Sequence, residues 1–363
     1  MGVSDRTARL RERLVTEGAE AIALTSMPNI EYCTGFHGVF DGEPAHVALV
    51  GAAGAALFTD SRYVEALTSA ACGTEWEVRL VRESLTTAVT DELRLVGAKR
   101  LALETSLPYS RFQAFTMEHD GEIVEATGWV EELRAVKDVE EVSAISRAQE
   151  LADRTFEHLL ANVLRAGVAE NDVALELEFF MRREGSAGVA FPPIVASGPN
   201  AARPHATPSD RRLASGDFVV LDFGARVGGY CSDMTRTVVV GRATDRHREV
   251  YDAVLVANLA GLGAVTAGRL GRDIDAPARA AIAERGFGEY FGHGLGHGVG
   301  LEIHELPSVG PRSDVAVPLG AVVTVEPGVY IPGYGGVRIE DLVVVEASGG
   351  RVLTRSAKDL IEV

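Results

Sequence analysis

The pattern of apolar and polar positions predicts an α/β unit in the first part of the chain. Amphipathic segments with apolar residues every three to four positions indicate helices, and short apolar or alternating runs indicate strands. The segments predicted in this way are a helix over residues 5–17, a strand over 21–25, a β-hairpin over 45–60, a helix over 61–71 and a strand over 100–104. Their alternation is typical of helices packed on a sheet.

A long helical pattern follows this unit. Over residues 131–165, apolar residues recur mostly at three- and four-residue steps, among them Ile145, Phe156 and Leu160. This pattern predicts a helix that carries the chain from one domain to the next. Because 363 residues exceed a typical single core of about 100–200 residues, we predict two domains, residues 1–131 and 132–363.

The second part of the chain repeats itself in two places. Residues 166–185 align without a gap on residues 267–286, with matching alanine, glycine and aspartate positions and a closing glycine. Further along, residues 215–225 align with residues 319–329, so that Asp222 matches Glu326. This pattern indicates an internal duplication whose matched positions include carboxylates inside apolar strands.

Each repeat contains a predicted hairpin with two carboxylates. In "DFVVLDFGARVGGYCSDMTRTVVV", Asp222 and Asp233 are equidistant from a centre between Val227 and Gly228. They are therefore predicted as direct cross-strand partners, with Cβ atoms roughly 5 Å apart.

The second hairpin, "TVEPGVYIPGYGGVRIEDLVVV", has the same arrangement. Glu326 and Glu340 are each seven residues from Gly333. The two sets of carboxylates should therefore lie on corresponding parts of the two repeats.

Paired carboxylates in apolar strands are unfavourable, because both must be desolvated and their charges repel. One interpretation is that a member of each pair binds an arginine, such as Arg236 or Arg338, or faces water. The other is that the four carboxylates bind two divalent cations. The +4 charge of the cations would balance the −4 charge of the carboxylates, and the cations would activate a bridging water as a hydroxide nucleophile. That chemistry indicates hydrolysis of an amide or ester.

Three histidines lie in the glycine-rich stretch "FGHGLGHGVGLEIHE". His293 and His297 are four residues apart, as in helical zinc sites, but the alternating glycines make a helix improbable. An oxygen-rich site with one imidazole suits Mn²⁺, Fe²⁺ or Co²⁺ at least as well as Zn²⁺. We therefore expect two divalent ions, with Mn²⁺ as the first choice.

Charge and cysteine content limit the partners and the compartment. The formal net charge of −17 opposes binding to nucleic acid or an anionic membrane, and the chain has no basic patch. No 18 apolar residues run together, and the first 20 residues lack the apolar core of a signal peptide. Cys33, Cys72 and Cys231 have no disulfide or metal spacing. We expect a cytoplasmic protein without nucleic-acid or membrane partners.

Taken together, these motifs resemble the pita-bread metallopeptidases: aminopeptidase P, prolidase and methionine aminopeptidase. The segments "LDFGARVGGYCSDMTRT", "GHGLGHGVGLEIHE", "TVEPGVYI" and "VRIEDLVVV" occur in the order found in that family. "MPNIEYCTGF" and "FTDSRYVEAL" resemble the creatinase-type N-terminal domain of the aminopeptidase P and prolidase branch, which methionine aminopeptidases lack. The resemblance implies an α+β protein, with an α/β creatinase-like domain followed by a pseudo-symmetric pita-bread catalytic domain.

The resemblance also implies a ligand set. The five metal ligands would be Asp222, Asp233, His297, Glu326 and Glu340. Asp233 and Glu340 would bridge the two ions, and Glu326 would take a proton from the attacking water.

Four further residues match functional positions of the family. His205 would steady the tetrahedral intermediate, His293 and His304 would contact the substrate, and Arg338 would orient a ligand carboxylate or the substrate. The residues themselves leave other interpretations open. His293 could be an exposed loop residue, His304 could form a surface ion pair, and Arg338 could pair with Glu340 for structural reasons.

The function implied is hydrolysis of Xaa-Pro bonds, in dipeptides or at the N-terminus of longer peptides, by a homodimer. The dipeptidase and aminopeptidase P activities are not separable from the sequence. Two alternatives are a non-enzymatic peptide-binding protein on the same fold and a creatinase-like hydrolase that acts without metal.

Overall fold

The computed structural model describes residues 3–52 and 54–363, so residues 1, 2 and 53 lie outside the description. The chain separates into two compact units, Met1–Arg134 and Ala135–Val363. Within the described residues, no helix is both long enough and apolar enough to cross a bilayer.

The first unit is built on a six-stranded mixed sheet with the strand order β4-β3-β2-β1-β5-β6. Its elements are α1 (Val3–Glu17), β1 (Ala21–Leu24), α2 (Met27–Thr34), β2 (His46–Gly51), β3 (Gly54–Thr59), α3 (Val64–Ala70), β4 (Trp76–Leu80), α4 (Leu85–Val96), β5 (Arg100–Glu104), α5 (Tyr109–Glu118), β6 (Glu122–Ala126) and α6 (Trp129–Arg134). Apolar side chains of β1, β2, β3 and β5 form its core with residues of α4 and α5.

The elements predicted for this unit are confirmed. The two predicted helices correspond to α1 and α3, the hairpin to the antiparallel pair β2–β3, and the two single strands to β1 and β5. The edge strands β4 and β6 were not predicted. Most of their residues are exposed or half-buried, so they lack the apolar pattern of the central strands.

The second unit contains the remaining helices and strands. They are α7 (Val139–Asn162), α8 (Glu170–Arg183), β7 (Gly188–Val189), β8 (Ile194–Ser197), a 3₁₀-helix (Gly198–Ala202), β9 (Phe218–Phe223), β10 (Ala225–Val227), β11 (Tyr230–Cys231), β12 (Met234–Val239), α9 (Asp245–Ala264), α10 (Gly271–Glu284), a 3₁₀-helix (Gly288–Tyr290), β13 (Gly296–Gly298), β14 (Glu305–Val309), β15 (Val322–Val325), β16 (Gly328–Ile331), β17 (Gly335–Arg338), β18 (Asp341–Glu346), β19 (Gly349–Val352) and β20 (Ile361–Glu362).

The continuous helix predicted over residues 131–165 is wrong. The chain leaves the helical conformation after α6 and begins again at α7. Asp138 caps α7: its Oδ1 accepts from the Glu141 amide, and Glu141 Oε2 accepts from the Asp138 amide. This reciprocal capping box satisfies amides that a continuous helix would have paired internally. The apolar periodicity does not report such a break.

The internal repeat corresponds to two similar halves of the second unit. The aligned segments form α8 and α10, each 14 residues long. α7 and α8 pack their apolar faces on β9 and β12, whereas α9 and α10 pack on β15 and β18. Each half therefore places a pair of helices against its own sheet, and the carboxylate-bearing strands lie at equivalent positions.

The register predicted for the first hairpin is wrong by two residues. Asp222 lies opposite Thr235, and β10–β11 is closed by a two-residue turn at Gly228–Gly229. Both glycines have positive φ, as a type I′ turn requires, so the hairpin centre lies between them. The shift moves the pairing by two residues, which leaves Asp222 and Asp233 on the same side but places them diagonally.

The register predicted for the second hairpin is confirmed. β16 and β17 pair around Gly333, with Ile331 opposite Gly335. The next ladder keeps this centre, since Val325 lies opposite Asp341. Glu326 and Glu340 lie at the break between these two ladders.

Candidate metal centre

A cavity of about 560 Å³ in the second unit is the candidate functional site. Carboxylates and imidazoles from both halves line it together with an apolar wall. All nine residues singled out in the sequence reach this cavity: His205, Asp222, Asp233, His293, His297, His304, Glu326, Arg338 and Glu340. The fold thus brings together residues that are up to 135 positions apart (205 to 340).

The four carboxylates lie at strand ends or between strands. Asp222 is the penultimate residue of β9, Asp233 directly precedes β12, Glu326 follows β15, and Glu340 lies between β17 and β18. Asp222, Asp233 and Glu340 are buried, with 9%, 4% and 2% of their surface exposed. The strands thus deliver four acidic side chains to one largely desolvated place.

The donor atoms are close enough to share a cation. One ligand atom each of Asp233, His297 and Glu340 lies within 4.8 Å of the others. His297 Nε2 is 3.6 Å from Asp233 Oδ2 and 3.3 Å from Glu326 Oε1. Asp222 Oδ1 is buried without a hydrogen-bond partner among the described residues. Such an unsatisfied oxygen is unfavourable unless a further group binds it, so these residues fit a divalent metal.

The electrostatics of the cluster favour the same interpretation. Burial raises the pKa of Asp233 and of Glu340 well above the usual range, and repulsion from the neighbouring carboxylates raises both further. Burial also raises the pKa of Asp222, although Arg338 opposes this shift. Ionised carboxylates are therefore costly here without a cation, and bound cations would remove that cost.

His297 and Glu326 stabilise each other's charged form. Burial alone would raise the pKa of Glu326, but the hydrogen bond and charge of His297 outweigh it and lower that pKa to about 2. Burial likewise opposes the charged form of His297, whereas Glu326 raises the pKa of the imidazole. The cause is the short distance of 3.3 Å between His297 Nε2 and Glu326 Oε1.

The backbone around His297 requires glycine. Gly296–Gly298 forms the short strand β13, so the glycine-rich stretch is not helical, as predicted. A Cβ atom at Gly296 would collide with the backbone of Thr324, and one at Gly298 with that of Leu306. Glycine therefore allows β13 to approach both neighbouring segments closely.

Arg338 connects the two halves of the site. Its Nη2 donates to Asp222 Oδ2 at 2.6 Å, and its Nε donates to Thr235 Oγ1 at 2.9 Å. Thr235 Oγ1 in turn donates to Glu340 Oε2 at 2.6 Å. Arg338 thus pairs with one of the four carboxylates, Asp222. Arg236 pairs instead with Asp341, which lies outside the cluster.

Tyr330 is a site residue that the sequence analysis missed. Its buried hydroxyl lies 2.7 Å from Arg338 Nη1 and 3.0 Å from His293 Nε2. His293 is therefore held in a hydrogen-bonded chain, in contrast to the alternative of an exposed loop residue. The position of Tyr330 four residues after Glu326, in the hairpin strand that pairs with Arg338's strand, could have indicated this contact.

His304 and His205 also line the cavity. The rings of His304 and His297 are in an edge-to-face arrangement with centroids 4.3 Å apart. Burial lowers the pKa of His304, and the positive charge of His297 lowers it further, whereas Glu326 opposes the shift. His205 lies in the segment between the 3₁₀-helix and β9, with an exposed side chain.

Comparison with known protein families assigns the chain. Residues 143–347 match the model of metallopeptidase family M24. The chain belongs to metallopeptidase family M24. Residues 6–136 match the creatinase/prolidase N-terminal domain, which confirms the predicted creatinase-like first domain.

Relatives of similar length support this assignment. The uncharacterized peptidase YqhT of Bacillus subtilis is 41% identical, over 97% of this chain and 98% of that protein. The solved Xaa-Pro dipeptidase from Bacillus anthracis has a TM-score of 0.93 and 42% identity, covering 100% of both chains. The X-Pro aminopeptidase from Thermotoga maritima has a TM-score of 0.89 and 36% identity, covering 99% of this chain and 100% of that one.

Membership in the M24 family confirms the predicted fold class, a creatinase-like N-terminal domain and a pseudo-symmetric pita-bread catalytic domain. It also identifies the chain as an enzyme of a metal-dependent peptidase family. Within the described residues, acidic side chains and an imidazole that fit a divalent metal come together in the cavity described above.

Proposed function

We propose that this M24 enzyme hydrolyses the peptide bond that precedes a proline, in Xaa-Pro dipeptides or at the N-terminus of longer peptides. The observation that carries the proposal is the convergence of three buried carboxylates, the half-buried Glu326 and His297 on one cavity. Relatives that match along nearly the whole chain are named for Xaa-Pro dipeptidase and X-Pro aminopeptidase activities. An Xaa-Pro bond has no N–H and a fixed ring, so it calls for a dedicated pocket.

Five residues would hold two divalent ions, with Mn²⁺ as the expected metal. They are Asp222, Asp233, His297, Glu326 and Glu340, of which Asp233 and Glu340 would bridge the ions. Four carboxylates balance the charge of two M²⁺ ions, and oxygen ligands with one imidazole suit Mn²⁺. When bound, the ions would lower the pKa of a water molecule and polarise the scissile carbonyl.

The protein's own groups would handle the proton and orient the substrate. Glu326 accepts the proton of the attacking water, since its Oε1 lies at the edge of the cluster beside His297. His205 and His304 line the same cavity, and they would donate to the oxygen and nitrogen of the bond that breaks. His293 and Arg338 fix the position of the substrate and of Asp222.

The apolar part of the cavity suits a proline ring. Phe191, Pro192, Ile303 and Val309 line it beside the polar groups. Burial of the ring against these side chains would contribute hydrophobic binding energy, while the cavity volume of about 560 Å³ is in the range of peptide-sized ligands. This wall supports a substrate with an apolar residue after the scissile bond.

The two alternative functions have less support. A non-enzymatic peptide-binding protein or a metal-free hydrolase of this fold would not need the ligand set, yet all five predicted ligands reach the cavity.

Cys33, Cys72 and Cys231 are thiols rather than disulfides, which suits a reducing cytoplasm. Cytoplasmic location and a homodimer stay predictions.

Metal removal and replacement test the proposal. The protein is stripped with a chelator, Mn²⁺, Co²⁺ or Zn²⁺ is restored separately, and an Xaa-Pro dipeptide is assayed beside an Xaa-Pro-Yaa tripeptide. We expect cleavage before proline that is lost on stripping and restored most fully by Mn²⁺. Cleavage of the dipeptide alone would assign a prolidase, and cleavage of both would assign the broader specificity. Absence of metal-dependent cleavage of either peptide would contradict the proposal.

Tyr330→Phe should lower kcat by roughly 10-fold while the bound metal stays unchanged. The substitution removes the hydroxyl that links Arg338 to His293, so the imidazole loses its orientation. The measurement is steady-state kinetics on the Mn²⁺ enzyme with metal analysis. Tyr109→Phe, at a largely exposed position, is the matched control. Wild-type kcat in Tyr330→Phe would show that this hydrogen-bonded chain has no catalytic role.

A further inference from the structure

Glu170, the first residue of α8, is a fully buried carboxylate outside the metal cluster. Its Oε1 accepts from the amide of Ser197 at 2.7 Å and from Ser197 Oγ at 2.6 Å. Its Oε2 accepts from the amide of Ser209 at 3.1 Å and from Ser209 Oγ at 2.6 Å. Asn200 Nδ2 donates to both oxygens at 3.1 Å. One side chain thus collects five donor groups.

Two of these donor residues, Ser197 and Ser209, lie at the two ends of one segment. We call residues 197–209 the histidine loop because the segment carries His205. Pro204, His205, Ala206, Thr207 and Pro208 of this loop line the cavity. Glu170 therefore closes the base of the loop while the tip forms one wall of the metal centre.

The tip of the histidine loop is attached by packing more than by hydrogen bonds, since Ala206 is buried in an apolar cluster with Ile194 and Val220. The imidazole of His205 is exposed, and among the described residues none forms a hydrogen bond with it. Arg338 Nη1 reaches the carbonyl oxygen of Pro204 at 3.4 Å. The position of the imidazole consequently depends on the loop backbone, which is held by this packing and by the hydrogen bonds at the base.

Comparison of the two halves shows that this closure is particular to the first. Backbone bonds are equivalent in both: the Glu170 amide donates to Arg211 O, and the Gly271 amide donates to Val315 O. At the position of Glu170, however, the second half has Gly271, where a Cβ atom would collide with Ser308 and Ser313. The carboxylate is therefore not required by the shared architecture, and it occurs in the half that presents His205.

We propose that Glu170 is a positioning residue, which acts on the reaction by holding the histidine loop so that His205 faces the scissile bond. The proposal rests on the proposed function, because it assumes that His205 acts on the substrate. Buried hydrogen bonds to a carboxylate are strong and directional, and misplacement of a reacting group by about 1 Å can cost about 100-fold in rate.

A double-mutant cycle with the full-length Mn²⁺ protein tests the proposal. Glu170→Ala should lower kcat by roughly 10- to 100-fold, Glu170→Gln should lower it less, and both should keep the wild-type metal content. In the His205→Asn background, Glu170→Ala should cause no further loss, because the group through which it acts is already absent. Glu178→Ala, on the same helix in an exposed pair with Arg182, is the matched control and should change nothing.

Amide hydrogen exchange gives a readout that does not depend on activity. Glu170→Ala should raise exchange in residues 197–209 and leave the strands of the metal centre protected. Unchanged exchange in this loop, loss of bound metal, or losses from Glu170→Ala and His205→Asn that multiply in the double variant would each overturn the proposal. A wild-type enzyme that does not cleave any Xaa-Pro peptide would instead refute the proposed function, and the exchange experiment would still test the closure of the loop.

Discussion

Asp233→Asn is expected to abolish peptidase activity, with kcat/KM lowered by at least about 1,000-fold, a loss of several kcal/mol of transition-state stabilisation. The substitution keeps the size of the side chain but removes the charge that we assign to bridge two cations. Bound metal should fall to half of the wild-type content or less. Asp252→Asn, at an exposed position of α9, is the matched control and should retain both activity and metal.

The same substitution should have opposite effects on stability with and without metal. Because burial and neighbouring carboxylates raise the pKa of Asp233, the metal-free fold loses stability as pH rises above the ordinary range of an aspartate. Asparagine cannot ionise, so metal-free Asp233→Asn should unfold at a higher temperature than the metal-free wild type at neutral pH. In excess Mn²⁺ the wild type should unfold at a higher temperature than Asp233→Asn. Thermal unfolding of the variant and the wild type, with chelator and with Mn²⁺, measures these differences. A variant that is less stable than the wild type in both conditions contradicts this account.

Arg338→Met should be the most damaging substitution among the residues around the cluster. The guanidinium is buried and donates to Asp222, Thr235 and Tyr330. Its loss leaves Asp222 without its arginine partner and loosens Tyr330, whose hydroxyl contacts His293. Breaking a buried pair of this kind costs about 3–5 kcal/mol of unfolding free energy. We expect kcat to fall by at least about 100-fold as well, because two groups of the site lose their orientation.

Urea unfolding and steady-state kinetics measure the two effects of Arg338→Met. Arg248→Met, which removes an exposed pair with Glu362, is the control and should change the unfolding free energy by less than about 1 kcal/mol. Arg338→Lys should recover only part of the loss, since an ammonium group cannot reproduce the planar fork that reaches several partners at once. Wild-type stability in Arg338→Met would show that the hydrogen-bonded network does not hold the two halves together.

The hairpins show how far the sequence determines the site. The apolar strands and their carboxylates could be predicted, because alternation and distance from a turn decide which side chains share a face. The predicted centre of the first hairpin lies one position too early, because equal spacing of the two carboxylates does not determine the turn, whereas Gly228 and Gly229 together satisfy the positive φ of a two-residue turn. The second hairpin was placed correctly, since its loop is centred on Gly333.

Other parts of the site depend on packing that no local pattern reports. Tyr330 contacts Arg338 and His293 through its hydroxyl, and a tyrosine in a strand is ordinarily interpreted as a packing residue. Glu170 reaches Ser197 and Ser209, which are 27 and 39 residues away, and its position in an amphipathic helix does not reveal this contact. The separation of α6 from α7 was missed, although the spacing of Asp138 and Glu141 matches a capping box.

Duplication explains why the carboxylates can be found in pairs. Each half contributes one helix pair and one carboxylate-bearing hairpin, and the two hairpins meet where Thr235 binds Glu340 and Arg338 binds Asp222. Neither half alone has the four carboxylates. We expect metal binding, folding of the sheet ends and activity to be coupled for this reason.

A crystal structure of the Mn²⁺-loaded protein, with anomalous scattering recorded at the manganese edge, tests the central claim most directly. Our account predicts two manganese peaks per chain in the cavity, about 3.5–4 Å apart. Asp233 and Glu340 should each contact both ions, Asp222 should contact one, and His297 and Glu326 should contact the other. A single peak, peaks outside this cavity, or two ions without these five side chains would contradict the account.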